Sequence, residues 1–304
     1  MKRTIFTMLA IAHTTVGLYA QSKLDAAGAH RNAETKFIEV NGTKYAYRKI
    51  GKTSGVPLIL LQHFTGTLDN WDPAVTNGLA KHFQVILLDN KGIGSSEGQT
   101  PVTIEEMAHD VAAVIKAMGF NKVDVLGFSM GGFIAQQLAL DHPELINKLI
   151  LAGTGPKGGE GIADIVKPLT ASSSMNAVDQ KLYLFYNQTP LSTELGREAI
   201  ERINSRTVNR DPDAQLPSIQ AQLGSIIAWG QPDASFLKKL KGISQPVLIV
   251  NGNNDIVVPT INSYVLFQNL PNAKLNLYPD AGHGSIFQYP EMFLAEAVPF
   301  LKQK

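Results

Sequence analysis

Residues Gly127-Phe128-Ser129-Met130-Gly131 set a serine between two glycines. They join an apolar run, Val123-Asp124-Val125-Leu126, to an apolar, alanine-bearing stretch from Gly132 to Leu140. That context suits nucleophilic chemistry. A serine on a tight strand-to-helix turn presents its hydroxyl outward, and only small neighbours let strand and helix close around it. A serine hydroxyl is a poor nucleophile at neutral pH, so it needs a base within hydrogen-bond reach and a third group to hold that base in one tautomer. After such a turn the order to look for is acid, then histidine. Asp255 closes the turn-rich loop Asn251-Gly252-Asn253-Asn254-Asp255 behind the apolar run Pro246 to Val250. His283 lies between glycines in the loop after the alternating segment Lys274 to Tyr278. Ser129, His283 and Asp255 are therefore the expected nucleophile, base and orienting acid. Asp280 is the rival acid, but it sits on the same loop as His283. Asp255 comes from a separate strand end, as convergence on a parallel sheet requires.

The other chemistries lack their residues. The chain has no cysteine, no H-E-x-x-H and no histidines clustered at ligand spacing, so no metal is expected. No G-x-x-x-x-G-K-[ST] loop is present, and Asn90 to Ser96 lacks the full dinucleotide fingerprint, so no cofactor is expected either. Of the histidines, His30, His82, His109 and His142 read as surface or capping residues, and His13 falls in a leader-like stretch. Only His63 and His283 follow strands directly in glycine-bearing loops.

The elements that must position these residues are legible. Lys36 to Val40 and Lys44 to Arg48 alternate around Asn41-Gly42, which predicts a hairpin with a tight turn. The runs Leu58 to Leu61, Val85 to Leu88, Val123 to Leu126, Leu149 to Ala152 and Val247 to Val250 lack alternation, as parallel strands covered on both faces should. Thr103, with Glu106 three residues on, predicts a helix start, and Gly119 a stop after Met118. From Gly153 to about Leu240 the strand–helix rhythm breaks. Helical patterns over Ile165 to Pro168, Val178 to Tyr186, Ser192 to Asn204 and Ser218 to Trp229 predict an insertion after the sixth strand. Tyr183, Phe185, Tyr186 and Trp229 are its candidate pocket residues. The alternative is that they form the insertion's own small core.

Taken together, these segments resemble the α/β-hydrolase fold over most of the chain from about Lys36 onward. Pro57 to Gly66 resembles its strand and oxyanion loop, Leu88 to Ser96 its D-x-R-G-x-G-x-S turn with Lys91 for the arginine, Gly127 to Gly131 its nucleophile elbow, and Asp255 and His283 its acid and base loops. The resemblance implies a doubly wound, mostly parallel eight-stranded α/β sheet. The core would span 36–152 and 241–304, with a helical lid at 153–240. It also implies an oxyanion hole built from the N–H groups of Met130 and Phe64, or Thr65 if the loop slips by one residue. The usual H-G-x-P here reads Gln62-His63-Phe64-Thr65, which brings His63 to the pocket as a loop-fixing or substrate-contacting imidazole. The activity implied is that of a serine hydrolase acting on a small or medium apolar ester, lactone or thioester. A cofactor-free perhydrolase, a carbon–carbon bond hydrolase, and a small-molecule receptor on the same fold are the alternatives.

Composition narrows the partners. With 27 basic and 26 acidic residues the net charge is +1, so nothing draws the chain to nucleic acid, and a small molecule is the expected partner. At 304 residues it can bury a full core. Met1-Lys2-Arg3, the mostly apolar Ile5 to Tyr19, and Ala20 before Gln21-Ser22-Lys23 resemble a secretory leader over residues 1–20. Export without stable membrane insertion is expected, and the alternative is an uncleaved N-terminal anchor.

Overall fold

Asn41 and Gly42 both adopt left-handed backbone, φ 51° and 75°. They form the two-residue turn that matches strand twist and joins β1 (Lys36–Val40) to β2 (Thr43–Gly51). The computed structural model describes residues 29–233 and 235–303, so the expected leader lies outside the described residues. β2 pairs antiparallel with β4 (Gln84–Leu88), and from there the sheet is parallel. It continues through β3 (Leu58–Leu61), β5 (Val123–Phe128), β6 (Ile146–Ala152), β7 (Val247–Gly252) and β8 (Ala273–Tyr278), in the order β1-β2-β4-β3-β5-β6-β7-β8.

The unalternating strand runs are explained by cores on both faces. Ile59, Val125 and Ile249 face one cluster with α2 (Ile104–Ala117) and α3 (Met130–Asp141). Leu60, Phe128 and Leu248 face the other, with α1 (Pro73–Ala80) behind them. The start of α2 is capped as its sequence predicts, Glu106 N–H donating to Thr103 Oγ1 at 3.2 Å.

Between β6 and β7 the chain makes α4 (Val166–Ala171), α5 (Ala177–Phe185), α6 (Pro190–Ile203), α7 (Leu216–Trp229) and α8 (Phe236–Leu240). After β7 come α9 (Ile261–Asn269), α10 (Ser285–Gln288) and α11 (Pro290–Lys302), which packs beside α1. The insertion is tied to the core through charge. Arg48 on β2 is fully buried, and its guanidinium donates to Asp69 Oδ1 at 2.6 Å and Asp211 Oδ2 at 3.1 Å. Asp211 N–H donates to Asp69 at 2.7 Å, and Ser95 Oγ to Asp211 at 2.6 Å. The stretch after α6 is thereby held to β2 and to the turns after β3 and β4. Among the described residues no helix is long and apolar enough to cross a membrane.

Candidate active site

The carboxyl ends of the parallel strands share one edge of the sheet, where ligands bind in such folds. Ser129 follows β5 there, with φ 56° and ψ −121°, a conformation that costs an L-residue about 1–3 kcal/mol. Its backbone N–H donates to Ala152 O at 2.9 Å, and its carbonyl accepts from Gly132 N–H at 2.8 Å and Thr154 Oγ1 at 2.9 Å. The flanking glycines are steric necessities. A Cβ on Gly127 would lie 2.3 Å from Gly131 O, and one on Gly131 would lie 2.1 Å from Leu61 O.

His283, after β8, is 2% exposed, and its Nδ1 lies 2.7 Å from Asp255 Oδ2. With Nδ1–H donating to the carboxylate, Nε2 carries the lone pair. Asp255 is held in turn: its Oδ1 accepts from the N–H groups of Val257 and Val258 at 2.8 and 2.9 Å. Asp280 does not meet His283. Its oxygens accept from Thr189 Oγ1 at 2.6 Å and Asn187 Nδ2 at 3.2 Å, clamping the insertion instead. Ser129 and His283 line one cavity of about 270 Å³ but are not hydrogen-bonded to each other, as is common before substrate binds.

The loop after β3 is fixed from two sides. His63 N–H donates to Gln62 Oε1 at 2.9 Å, and Thr65 N–H to Gln222 Oε1 of α7 at 2.8 Å. The N–H groups flanking Phe64 are thus occupied. Those of Phe64 and Met130 have no acceptor among the described residues. Thr65 sits at φ 63°, an unusual conformation for a β-branched residue. Gln222 is fully buried and its Nε2 is unpartnered, so its orientation serves that one acceptor contact. Nothing in the sequence pattern marked Gln222, because the contact spans 157 positions.

His63 also lines the cavity. Its Nδ1 lies 2.7 Å from Phe64 O, and its ring meets Phe128 and Phe185 edge-on at 5.6 and 5.4 Å. Burial pushes its pKa down to about 4, with the His283 and Lys181 charges adding to the effect, so it is neutral at physiological pH. Tyr186 and Phe185 line the cavity, but Tyr183 and Trp229 do not. Trp229 stands one layer back, stacked on Phe133 at 5.4 Å with Nε1 3.4 Å from Gly155 O. Tyr183 packs partly buried against the core. A helical aromatic reads alike in sequence whether it faces a cavity or a neighbouring helix. Residues the sequence did not single out, Leu184, Ile200, Ile226 and Phe287 among them, complete the wall. Below it Phe128, the second residue of the elbow, packs its ring 5.0 Å from that of His283.

The chain is similar to known proteins over most of its length. A solved α/β-hydrolase fold protein from Chitinophaga pinensis superposes with a TM-score of 0.88 at 44% identity, over 91% of this chain and 100% of that one. The 2-hydroxy-6-oxo-6-phenylhexa-2,4-dienoate hydrolase of Burkholderia cepacia is 30% identical over 240 residues, 73% of this chain and 78% of its own length. The pimeloyl-(acyl-carrier protein) methyl ester esterase of Nitrosomonas europaea is 26% identical over 263 residues, 80% of this chain and 94% of its own. The family profile of the alpha/beta hydrolase fold matches residues 56–290. With its sheet order, elbow and acid–histidine pair in place, the chain belongs to the alpha/beta hydrolase fold family and is a hydrolase.

Proposed function

We propose that the protein is a serine hydrolase that cleaves a small or medium apolar ester, lactone or thioester through an acyl-enzyme. The observation that carries this reading is a strained, cavity-facing Ser129 sharing that cavity with His283, whose other nitrogen is held 2.7 Å from a buried Asp255. Ser129 Oγ attacks the carbonyl carbon as His283 Nε2 takes its proton. The oxyanion is met by the free N–H groups of Phe64 and Met130, each worth about 3 kcal/mol in such sites. The tetrahedral adduct collapses, and His283 hands the proton to the departing oxygen or sulfur. Water, deprotonated by the same nitrogen, then releases the acid and restores Ser129. Residues 153–240 act as the lid, and His63 and Tyr186 as wall contacts to substrate. Peroxide in place of water, or a diketone in place of an ester, would use the same residues. Peracid formation and diketone cleavage measured beside ester hydrolysis rank the three. Residues 1–20 serve as an export signal in this reading, which N-terminal sequencing of the mature protein tests.

The test of the chemistry is labelling with a fluorophosphonate followed by peptide mapping. Modification at Ser129 is expected, lost in His283→Ala, with Ser129→Ala lowering kcat by about 10⁴-fold or more. A folded protein that takes up no label at Ser129 would overturn the reading.

A further inference from the structure

The cavity wall is chiefly aliphatic and aromatic, and of its lining residues Lys181 alone carries a permanent charge. Lys181 is half-buried on α5. Among the described residues its Nζ makes no hydrogen bond and no ion pair within 4.0 Å. The other partly buried cations Lys157, Arg202 and Arg206 are matched, meeting Glu105 at 2.8 Å, Asp72 at 2.8 Å and Asp69 at 3.5 Å, whereas Arg210, Lys238 and Lys239 make no ion pair among the described residues. Arg210 and Asp213 are the charges that act on Lys181. They act on it with opposite sign, and neither pairs with it. Burial moves its pKa downward, the expected cost of taking an ammonium from water without a counter-charge. An anion that enters with substrate would offset that cost.

The placement of α5 says where on the substrate the anion would lie. The helix ends against the histidine loop. Gly284 N–H donates to Phe185 O at 2.7 Å, and the Phe185 ring stands edge-on to His283 at 5.3 Å. Lys181 precedes Phe185 by four residues, so the two share a helix face about one turn, roughly 5–6 Å, apart. Lys181 thus sits one helical turn before the residue that packs on the base, on the same cavity wall as Leu184. That is the reach of a short acyl chain. His63 does not compete as a cation, being neutral above about pH 4. A single point charge in an apolar wall suits a carboxylate better than a phosphate dianion, which draws several donors or a bidentate arginine.

We propose that Lys181 is an anion-binding residue, and that the ester cleaved at Ser129 carries a carboxylate at the far end of a short acyl chain. The proposal rests on the serine-hydrolase reading for the position of the carbonyl and narrows its substrate to an ester whose otherwise apolar acyl chain ends in a carboxylate.

Calorimetric titration of the Ser129→Ala protein with monomethyl adipate and with dimethyl adipate tests the charge directly, since neither ester is turned over. The monoanion is expected to bind at least tenfold more tightly. Adding Lys181→Met, which keeps an apolar stem, is expected to erase most of that preference, and Lys181→Arg to retain part of it. Equal or tighter binding of the diester, equal effects of Lys181→Met on both esters, or no binding of the monoester would each overturn the proposal. Fluorophosphonate labelling of the wild type separates the two failures. Label at Ser129 without a monoanion preference removes only the role of Lys181, whereas absence of label removes the hydrolase reading itself.

Discussion

Ser129 is held where a non-glycine residue stores strain, by hydrogen bonds to both its N–H and its carbonyl. Glycine adopts φ 56° without that cost. Ser129→Gly is therefore expected to raise unfolding stability by about 1 kcal/mol while abolishing turnover, measured by urea denaturation beside an ester assay. An unchanged or lower midpoint would show that the elbow is not strained. His63 illustrates the opposite case. Its residue type suggests a titrating group, yet burial among Phe128 and Phe185 keeps it neutral and leaves it as a loop-fixing donor.

At the scale of elements, α7 belongs to the insertion but completes the loop after β3. Gln222 occupies the N–H of Thr65, as Gln62 occupies that of His63, and the N–H of Phe64 between them has no acceptor among the described residues. Gln222→Leu removes the acceptor and frees Thr65 from its left-handed backbone. It is expected to lower kcat by about 10- to 100-fold, a fraction of a lost oxyanion donor, with little change in KM. Gln222→Glu retains the acceptor oxygen and is expected to recover most of kcat. Equal losses in both variants, or a loss confined to KM, would assign Gln222 a packing role instead. If the pattern holds, docking of the insertion and assembly of the oxyanion site are one event.

Across the whole molecule, the Arg48 cluster joins β2, the two loops after β3 and β4, and the stretch beyond α6. Breaking the buried pairs leaves Asp211 without its ion-pair partner and Asp69 with Arg206 alone at 3.5 Å, so Arg48→Met is expected to destabilise by about 3–5 kcal/mol in urea denaturation. A change under about 1 kcal/mol would show that water reaches the cluster. His30, 1% exposed, sits at its edge with Nδ1 2.9 Å from Thr76 Oγ1. Burial, then Arg48, pushes its pKa down from 6.5 to about 4. The unfolded chain therefore takes up this proton first as pH falls. The contribution of His30 to stability is intact above about 6.5 and is lost progressively toward 4. The stability of the wild type relative to His30→Gln should fall by about 1.4 kcal/mol per pH unit across that window, read from denaturation at pH 7, 5.5 and 4.5. A pH-independent difference would mean that His30 titrates normally.

Read alone, the residues determined the hairpin turn, the capped start of α2 and the break in strand–helix rhythm after the sixth strand, because each is written in local periodicity, turn chemistry or glycine spacing, and the resemblance of the ordered motifs carried the fold class. They also pointed to His283 and, from strand ends, to Asp255 ahead of Asp280 as its partner. What the tertiary structure decided is which of two similar groups makes contact. It placed Asp255 rather than Asp280 on His283, occupied the N–H of Thr65 and left that of Phe64 free, set Trp229 behind Phe133 rather than on the cavity, and brought Lys181 into the cavity wall. Those outcomes depend on side chains brought together from distant positions, and no local pattern encodes which face of an inserted helix meets the cavity.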